Sequence, residues 1–437
     1  MTGLIMAAQL ILGLSILVVL HELGHFLAAR AFGIKVEKFY LFFDAFGFKL
    51  FRFKAGDTEY GIGWLPLGGY VKIAGMIDES MDKEAMKQPP KPWEFRSKPA
   101  WQRLIVMLGG VTVNAILGVF LFAFVLLQYN KDYLPNENVS DGIYAYELGR
   151  EIGFQAGDQI IEVNGRKVER FKDILSTRVF FGSEIKVNRN GQEALVIVPD
   201  DFYRLLKDAS GSRIIAADNY PFRIDSVLSD MPAGRAGLQT GDRVLALDGL
   251  PVDSWGAFVE NVGLKEGLTV QMLVQRSGDT LLLPVEVDTN GHIGVLAAGP
   301  DYALASYSLS KAIKYGWKDA MDLMSANIKG FGKILSGKEK ATESLQGPIG
   351  IAQIYGGEWL WSKFWFITGL LSLILAFMNI LPIPALDGGH VIFLTLEVIT
   401  GRKFPDSFME KAQLVGMIIL LALMAFVIGN DIFRLFR

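Results

Sequence analysis

Four stretches of this 437-residue chain contain no Asp, Glu, Lys or Arg: residues 1–20, 104–130, 364–386 and 412–430. The hydrocarbon core of a bilayer is about 30 Å thick and is crossed by about 20 apolar residues in a helix, so each run is long enough to span it. Backbone amides inside lipid must be satisfied within their own segment, which makes a helix the fold of such a run. Charged residues make up 20% of the chain and mean hydropathy is +0.31. Outside the four runs the charge fraction returns to about a quarter, the value of ordinary soluble domains. The chain is therefore two materials: four membrane helices and a water-exposed remainder. With no cysteine there is no disulfide framework, no thiolate zinc site and no thiol nucleophile. A net charge of −3 leaves no footprint for nucleic acid.

The first run has no positive n-region and no small-residue cleavage site before His21, so it reads as a membrane helix and not as a secretory leader. Lys and Arg set the direction. Residues 1–29 contain neither, whereas 30–103 contain many, beginning with Arg30, Lys35, Lys38 and Lys49. That places both termini outside and 30–103 inside the cell. The expected segmentation is a first membrane helix over 1–34, a cytoplasmic and membrane-associated region over 35–100, and a second helix over 101–130. Two external domains follow over 131–217 and 218–300, then an amphipathic helix and connector over 301–360. A third helix over 361–390, a cytoplasmic connector over 391–411 and a fourth helix over 412–437 complete the chain.

The external part contains a repeat. Residues 153–165, GFQAGDQIIEVNG, realign with 237–249, GLQTGDRVLALDG; each reads as a Gly-Asp turn, a strand, and an Asn-Gly or Asp-Gly turn. The pattern resembles the PDZ domain in its bacterial protease-associated form, and the second copy carries more of it, in RIDSVLSDMPAGRAGL. Such domains bind peptides by strand addition; the alternative role is to obstruct access to the membrane part. After the repeats, Ile313, Trp317, Ala320, Met321, Met324, Ile328, Phe331 and Leu335 recur at helical spacing. They predict an amphipathic helix that lies on the bilayer or packs on the domains.

His21-Glu22-Leu23-Gly24-His25 is an H-E-x-x-H motif. Positions i and i+4 of a helix are about 40° apart, so both imidazoles face one point, as zinc requires, and Glu22 can reach a water there as general base. Ionisable groups at the end of a membrane run are costly and functional by default. Zinc needs a third protein ligand, and Asp387 offers one, in the stretch Asn379 to His390 where Pro382, Pro384, Gly388 and Gly389 interrupt the third run. Broken backbone at membrane depth is tolerated where it is buried in protein or lines a cavity. His390 is the rival ligand, but two histidines, Asp387 and a water already complete four-coordination, which leaves it a supporting or structural part. In 59–76, Gly61, Gly63, Pro66, Gly68 and Gly69 oppose a helix, while Tyr70, Val71 and Ile73 favour strand.

HELGH, NILPIPALDGGH, EYGIGWLPLGGYVKIAGM (59–76), Gly109 to Asn114 and Gly347-Pro348-Ile349-Gly350 together resemble the site-2 protease family of intramembrane zinc metalloproteases, in its bacterial branch with two PDZ domains. The resemblance covers nearly the whole chain. It implies a polytopic α-helical membrane protein of four transmembrane helices with a membrane-associated β-loop, plus two tandem PDZ-like α/β domains between helices two and three. It implies one zinc ion held by His21, His25 and Asp387, with Glu22 activating water and Asn379 holding substrate or the oxyanion. Pro382, Pro384, Gly68 and Gly69 are the candidates for holding an unwound substrate. The implied setting is the bacterial inner membrane, in contact with its lipids, with the PDZ domains periplasmic. The implied substrates are single-pass membrane proteins, such as an anti-sigma factor already trimmed outside, and remnant signal peptides. The PDZ domains would exclude untrimmed substrates or bind a partner peptide.

Overall fold

The computed structural model describes residues 2–76, 89–176, 178–208, 213–300 and 302–436. It divides into two compact units, Met1–Lys131 with Tyr307–Arg437, and Asp132–Ser306.

The first unit contains the four uncharged runs, and each supplies a helix long and apolar enough to cross a membrane. Helix α1 (Thr2–Ala31) continues through HELGH. A mixed four-stranded sheet follows, from strands β1 (Val36–Phe43), β2 (Lys49–Ala55), β3 (Thr58–Gly63) and β4 (Leu65–Ile73), in the order β2-β3-β1-β4. β1 runs parallel to β3 and antiparallel to β4, so β4 is an edge strand. The strand reading of 59–76 therefore extends to a sheet that starts at Val36. Ala29, Ile34, Val36, Ile73, Phe95, Val106, Met107 and Leu394 form the core that seats this sheet against the helices. Helix α2 (Ala100–Gln128) begins directly after Pro99, whose ring blocks helical conformation in the preceding residue.

In the second unit the sequence repeat is a structural one. Strands β5 (Gln159–Val163), β6 (Ser183–Arg189) and β7 (Gln192–Val198) form one sheet with a two-residue fourth strand. After β8 (Ile224–Val227), strands β9 (Arg243–Leu247), β10 (Thr269–Arg276) and β11 (Asp279–Glu286) form the second, with helix α3 (Trp255–Gly263) packed on it. Strand β12 (Val295–Ala297) pairs with β8. Each repeat has its own apolar core. The Gly-Asp step shared by the two repeats has a clear purpose. Asp158 is fully buried and accepts from Arg189 Nε and Nη2 at 2.8 and 2.7 Å and from the Gln155 amide at 2.9 Å. Asp242 does the same with Arg276, at 2.7 Å twice, and with the Gln239 amide at 2.9 Å. Asn164 and Asp248 occupy the positive-φ corner before Gly165 and Gly249, as a tight hairpin turn demands.

Helix α4 (Leu309–Leu335) begins at Ser308, whose hydroxyl accepts from the Lys311 amide. It packs on a partner that neither expectation for the amphipathic segment named. It lies against the membrane helices through its small residues: Gly316 meets the Ala123 backbone of α2, and Ala320 joins Phe122 and Leu373. Small residues permit this close approach, and Ile313, Trp317, Ile328 and Leu335 stay exposed. Helix α5 (Pro348–Tyr355) explains the Gly-Pro-Ile-Gly motif. The buried Asp431 carboxylate accepts from the backbone amides of Gly347, Ile349 and Gly350 at 2.9, 2.9 and 3.2 Å.

The third run is not one helix over 361–390. Helix α6 (Trp361–Ile380) stops before Pro382, and helix α7 (Asp387–Thr400) starts afresh. The expected connector 391–411 is thus helical as far as Thr400, where Gly401 closes the helix in the left-handed conformation. Leu381 is extended, as a residue before proline must be, and Ala385 sits at φ +83°. A Cβ on Gly388 would strike the Leu381 carbonyl, so glycine is required where α7 folds back on the end of α6. Helix α8 (Asp406–Leu435) covers the break, with Gly416 against the Pro384 carbonyl.

Arg276→Leu would leave Asp242 as a buried, unpaired carboxylate, a loss of about 3–5 kcal/mol. Hydrogen exchange of the full chain is expected to show lost protection in β9 and β10 with β5 and β6 unchanged; unchanged protection in β9 would contradict this.

Candidate metal centre

Helices α1 and α2 cross where neither carries a side chain. A Cβ on Gly24 would strike the Gly109 carbonyl oxygen, and one on Gly109 would lie 2.5 Å from the Gly24 carbonyl oxygen. One residue on, a Cβ at Gly110 would strike His25 Nε2 and come within 2.6 Å of His21 Cε1. Both imidazoles therefore lie directly against the bare backbone of α2. Asp387, the first residue of α7, meets them from the other side.

The three donor atoms form a nearly regular triangle. His21 Nε2 and His25 Nε2 are 3.2 Å apart, and Asp387 Oδ2 is 3.2 Å from the first and 3.3 Å from the second. A tetrahedral ion with bonds of about 2.0 Å has its ligands about 3.3 Å apart. Asp387 Oδ2 is buried and has no hydrogen-bond partner although both nitrogens are near. Three lone-pair donors facing one point is an arrangement that a cation relieves. Among the described residues no other group of three His, Cys, Asp or Glu side chains is close enough to hold a metal.

Outer contacts orient the rings. His25 Nδ1 lies 2.8 Å from the Val106 carbonyl; a carbonyl only accepts, so Nδ1 carries the proton and Nε2 offers its lone pair. His21 Nδ1 lies 3.1 Å from Asn114 Nδ2, the Asn114 Oδ1 being buried without a partner, and Asn379 Nδ2 lies 3.2 Å from His21 Nε2. A cleft of about 440 Å³ opens onto the triangle. Glu22 lines it, its carboxylate facing the Val71 backbone amide of β4. Residues Gly69 to Ile73 of the β4 edge form one wall.

The structure brings His21, His25, Asp387, Glu22 and Asn379 together. Gly69 reaches the cleft, whereas Gly68 sits one step away beside the Phe43 ring. Pro382 and Pro384 shape the helix break and do not line the cleft. His390 lines it outside the donor triangle and pairs with Gln413 of α8. The sequence reading gave no individual role to Asn114 or Gln413. Each is a polar amide within an uncharged run, and a polar group at that depth is the signal that marks them.

A profile of peptidase family M50 matches residues 9–423. The chain belongs to peptidase family M50. It is similar to the regulator of sigma E protease of Haemophilus influenzae, at 29% identity over 97% of this chain and 98% of that one. It is likewise similar to the regulator of sigma-E protease of Escherichia coli, at 29% identity over 98% of each chain. Family M50 contains the site-2 proteases, and this member is a membrane metalloprotease whose cofactor is zinc.

Gly110→Ala is expected to lower zinc content at limiting zinc by at least tenfold, because the new methyl occupies the space of both imidazoles. Gly429→Ala, where a Cβ meets nothing, is expected to leave it unchanged. Elemental analysis of the purified proteins checks both.

Proposed function

We propose that this M50 protease is an intramembrane endopeptidase that cuts transmembrane segments of single-pass membrane proteins, with His21, His25 and Asp387 as its zinc ligands. The donor triangle, with the partnerless Asp387 oxygen inside a bundle of membrane-length helices, is the observation that carries this reading. Zinc, when bound, supplies Lewis acidity for peptide hydrolysis.

The remaining chemistry belongs to the chain. Glu22, beside His21 at the cleft, takes a proton from the attacking water and returns it to the leaving amine. Asn379, with its amide 3.2 Å from His21 Nε2, donates to the oxygen on which charge develops. A helical substrate conceals its amides in its own hydrogen bonds, so it must be unwound first. The edge of β4 supports that step: an extended segment laid along Gly69 to Ile73 forms main-chain hydrogen bonds to β4 and passes the donor triangle. Gly68 allows the strand to turn into the cleft, and the Pro382–Pro384 break holds Asp387 there.

The setting follows from charge and from the relatives. Exposed Phe46, Phe48, Leu50, Phe51 and Phe53 on and before β2 support insertion of the sheet's outer part into the membrane surface. The Lys and Arg distribution supports an inner-membrane protein with 30–103 cytoplasmic, both termini periplasmic and the repeats periplasmic. The repeats fit tandem PDZ domains that screen substrates by size or bind a partner peptide. The sigma-E relatives support an anti-sigma factor, trimmed outside beforehand, and remnant signal peptides as substrates.

Glu22→Gln is expected to retain zinc and to lower cleavage of a reporter with a membrane segment by at least 100-fold, the scale of general acid–base catalysis. Cleavage at the wild-type rate would overturn the assignment.

A further inference from the structure

Helix α2 touches the donor triangle through one face. Val106, Gly110 and Asn114 are spaced by four residues. Gly110 seats both rings, and Val106 takes the outer nitrogen of His25. Asn114 stands at the outer nitrogen of His21, fully buried at membrane depth. Its backbone carbonyl accepts from Ser372 Oγ at 2.7 Å, which ties this turn of α2 to α6 two turns before Asn379.

A neutral imidazole has one proton, and its location decides whether the ring can bind a metal. His21 meets the other donors through Nε2, so Nε2 must present a lone pair and Nδ1 must carry the proton. The group beside Nδ1 is the Asn114 side-chain amide, with Nδ2 at 3.1 Å and its Oδ1 buried and without any partner, a mismatch that turning the amide over removes. An amide has an accepting and a donating end of nearly equal size, so the hydrogen-bond network decides which end faces the ring. If the nitrogen end met Nδ1, it would force the proton onto Nε2 and block the ring as a ligand. If the oxygen end meets Nδ1, the pair Val106 oxygen and Asn114 oxygen treats both imidazoles alike.

We propose that Asn114 is a positioning residue: its side-chain oxygen accepts from His21 Nδ1–H and thereby holds His21 in its zinc-binding tautomer. The inference rests on the reading of His21 as a zinc ligand. Helix α2 then serves as the orienting element for both histidines, through one backbone and one side-chain acceptor. Such outer partners fix ring orientation and raise ligand basicity, and their loss weakens metal binding 10–100-fold.

Zinc affinity of the purified full-length chain, measured by competition with a fluorescent chelator and zinc ion alone, tests this. Asn114→Leu, similar in size but without an acceptor, is expected to bind zinc 10–100-fold more weakly. Asn114→Asp, which only accepts, is expected to bind at least as tightly as the wild type. His21→Ala is the reference and is expected to bind more weakly than either. Wild-type affinity in Asn114→Leu together with weakened His21→Ala would overturn the role of Asn114 alone. Wild-type affinity in His21→Ala would overturn the ligand reading beneath it. If Asn114→Leu does not fold, Asn114→Asp decides: binding more than tenfold weaker would mean that the amide acts as a donor, and the proposal fails.

Discussion

The glycine-on-glycine crossing of α1 and α2 is the contact on which the site depends. Gly24, Gly109 and Gly110 remove every side chain from the point of closest approach. Lipid tails are as apolar as leucine, so membrane helices associate through close packing and polar contacts and not through hydrophobic burial. This crossing places a helix carrying two imidazoles against a bare backbone, and the rings occupy the space that side chains would have filled. Val106 and Asn114 flank that seat and meet the outer nitrogens.

The third donor comes by a different physical route. Helix α6 ends because Pro382 and Pro384 cannot continue it, and the chain turns through Ala385 at φ +83°, a conformation that costs a non-glycine residue roughly 1–3 kcal/mol. Gly388 and Gly389 let α7 start hard against that turn, with Asp387 as its first residue. The break is held by three contacts from two helices. Gly416 of α8 covers Pro384, Gln413 pairs with His390, and Arg103 of α2 forms an ion pair of 2.5 Å with Glu397 of α7. Irregular backbone at this depth is thus braced by neighbouring helices and borders the cleft through Ala385 and Leu386, one of the settings in which it is tolerated. The same turn opens the cleft toward the β4 edge, so one interruption supplies both a donor and an entrance.

Much of this was legible in the chain. Uncharged runs predict membrane helices because a charge in lipid is costly, and each of the four runs supplies a helix of membrane length. HELGH predicts two imidazoles on one face because helical spacing is fixed, and the Gly-Asp repeat predicts two like folds. What escaped was long-range. Asn114 is one amide in an apolar run, and nothing local shows that it stands at His21, 93 residues earlier. The packing of α4 was concealed because Ala312 and Gly316, buried in its contacts, are small residues that carry little hydrophobic signal. The extent of α7 was concealed because a proline-glycine break reads as the end of a helix and not as the start of another. The sheet order also escaped, since the parallel pairing of β1 with β3 is set by tertiary contact.

The central claim is that the α1–α2 crossing and the α6–α7 break together build a site of two imidazoles and one carboxylate for zinc. X-ray absorption of the zinc-loaded full-length protein measures it most directly. The account predicts four nitrogen or oxygen neighbours at about 2.0–2.1 Å, with imidazole scattering from two rings that falls to one in His21→Ala. Scattering from a third imidazole would place His390 on the metal, and an unchanged spectrum in His21→Ala would contradict the site altogether.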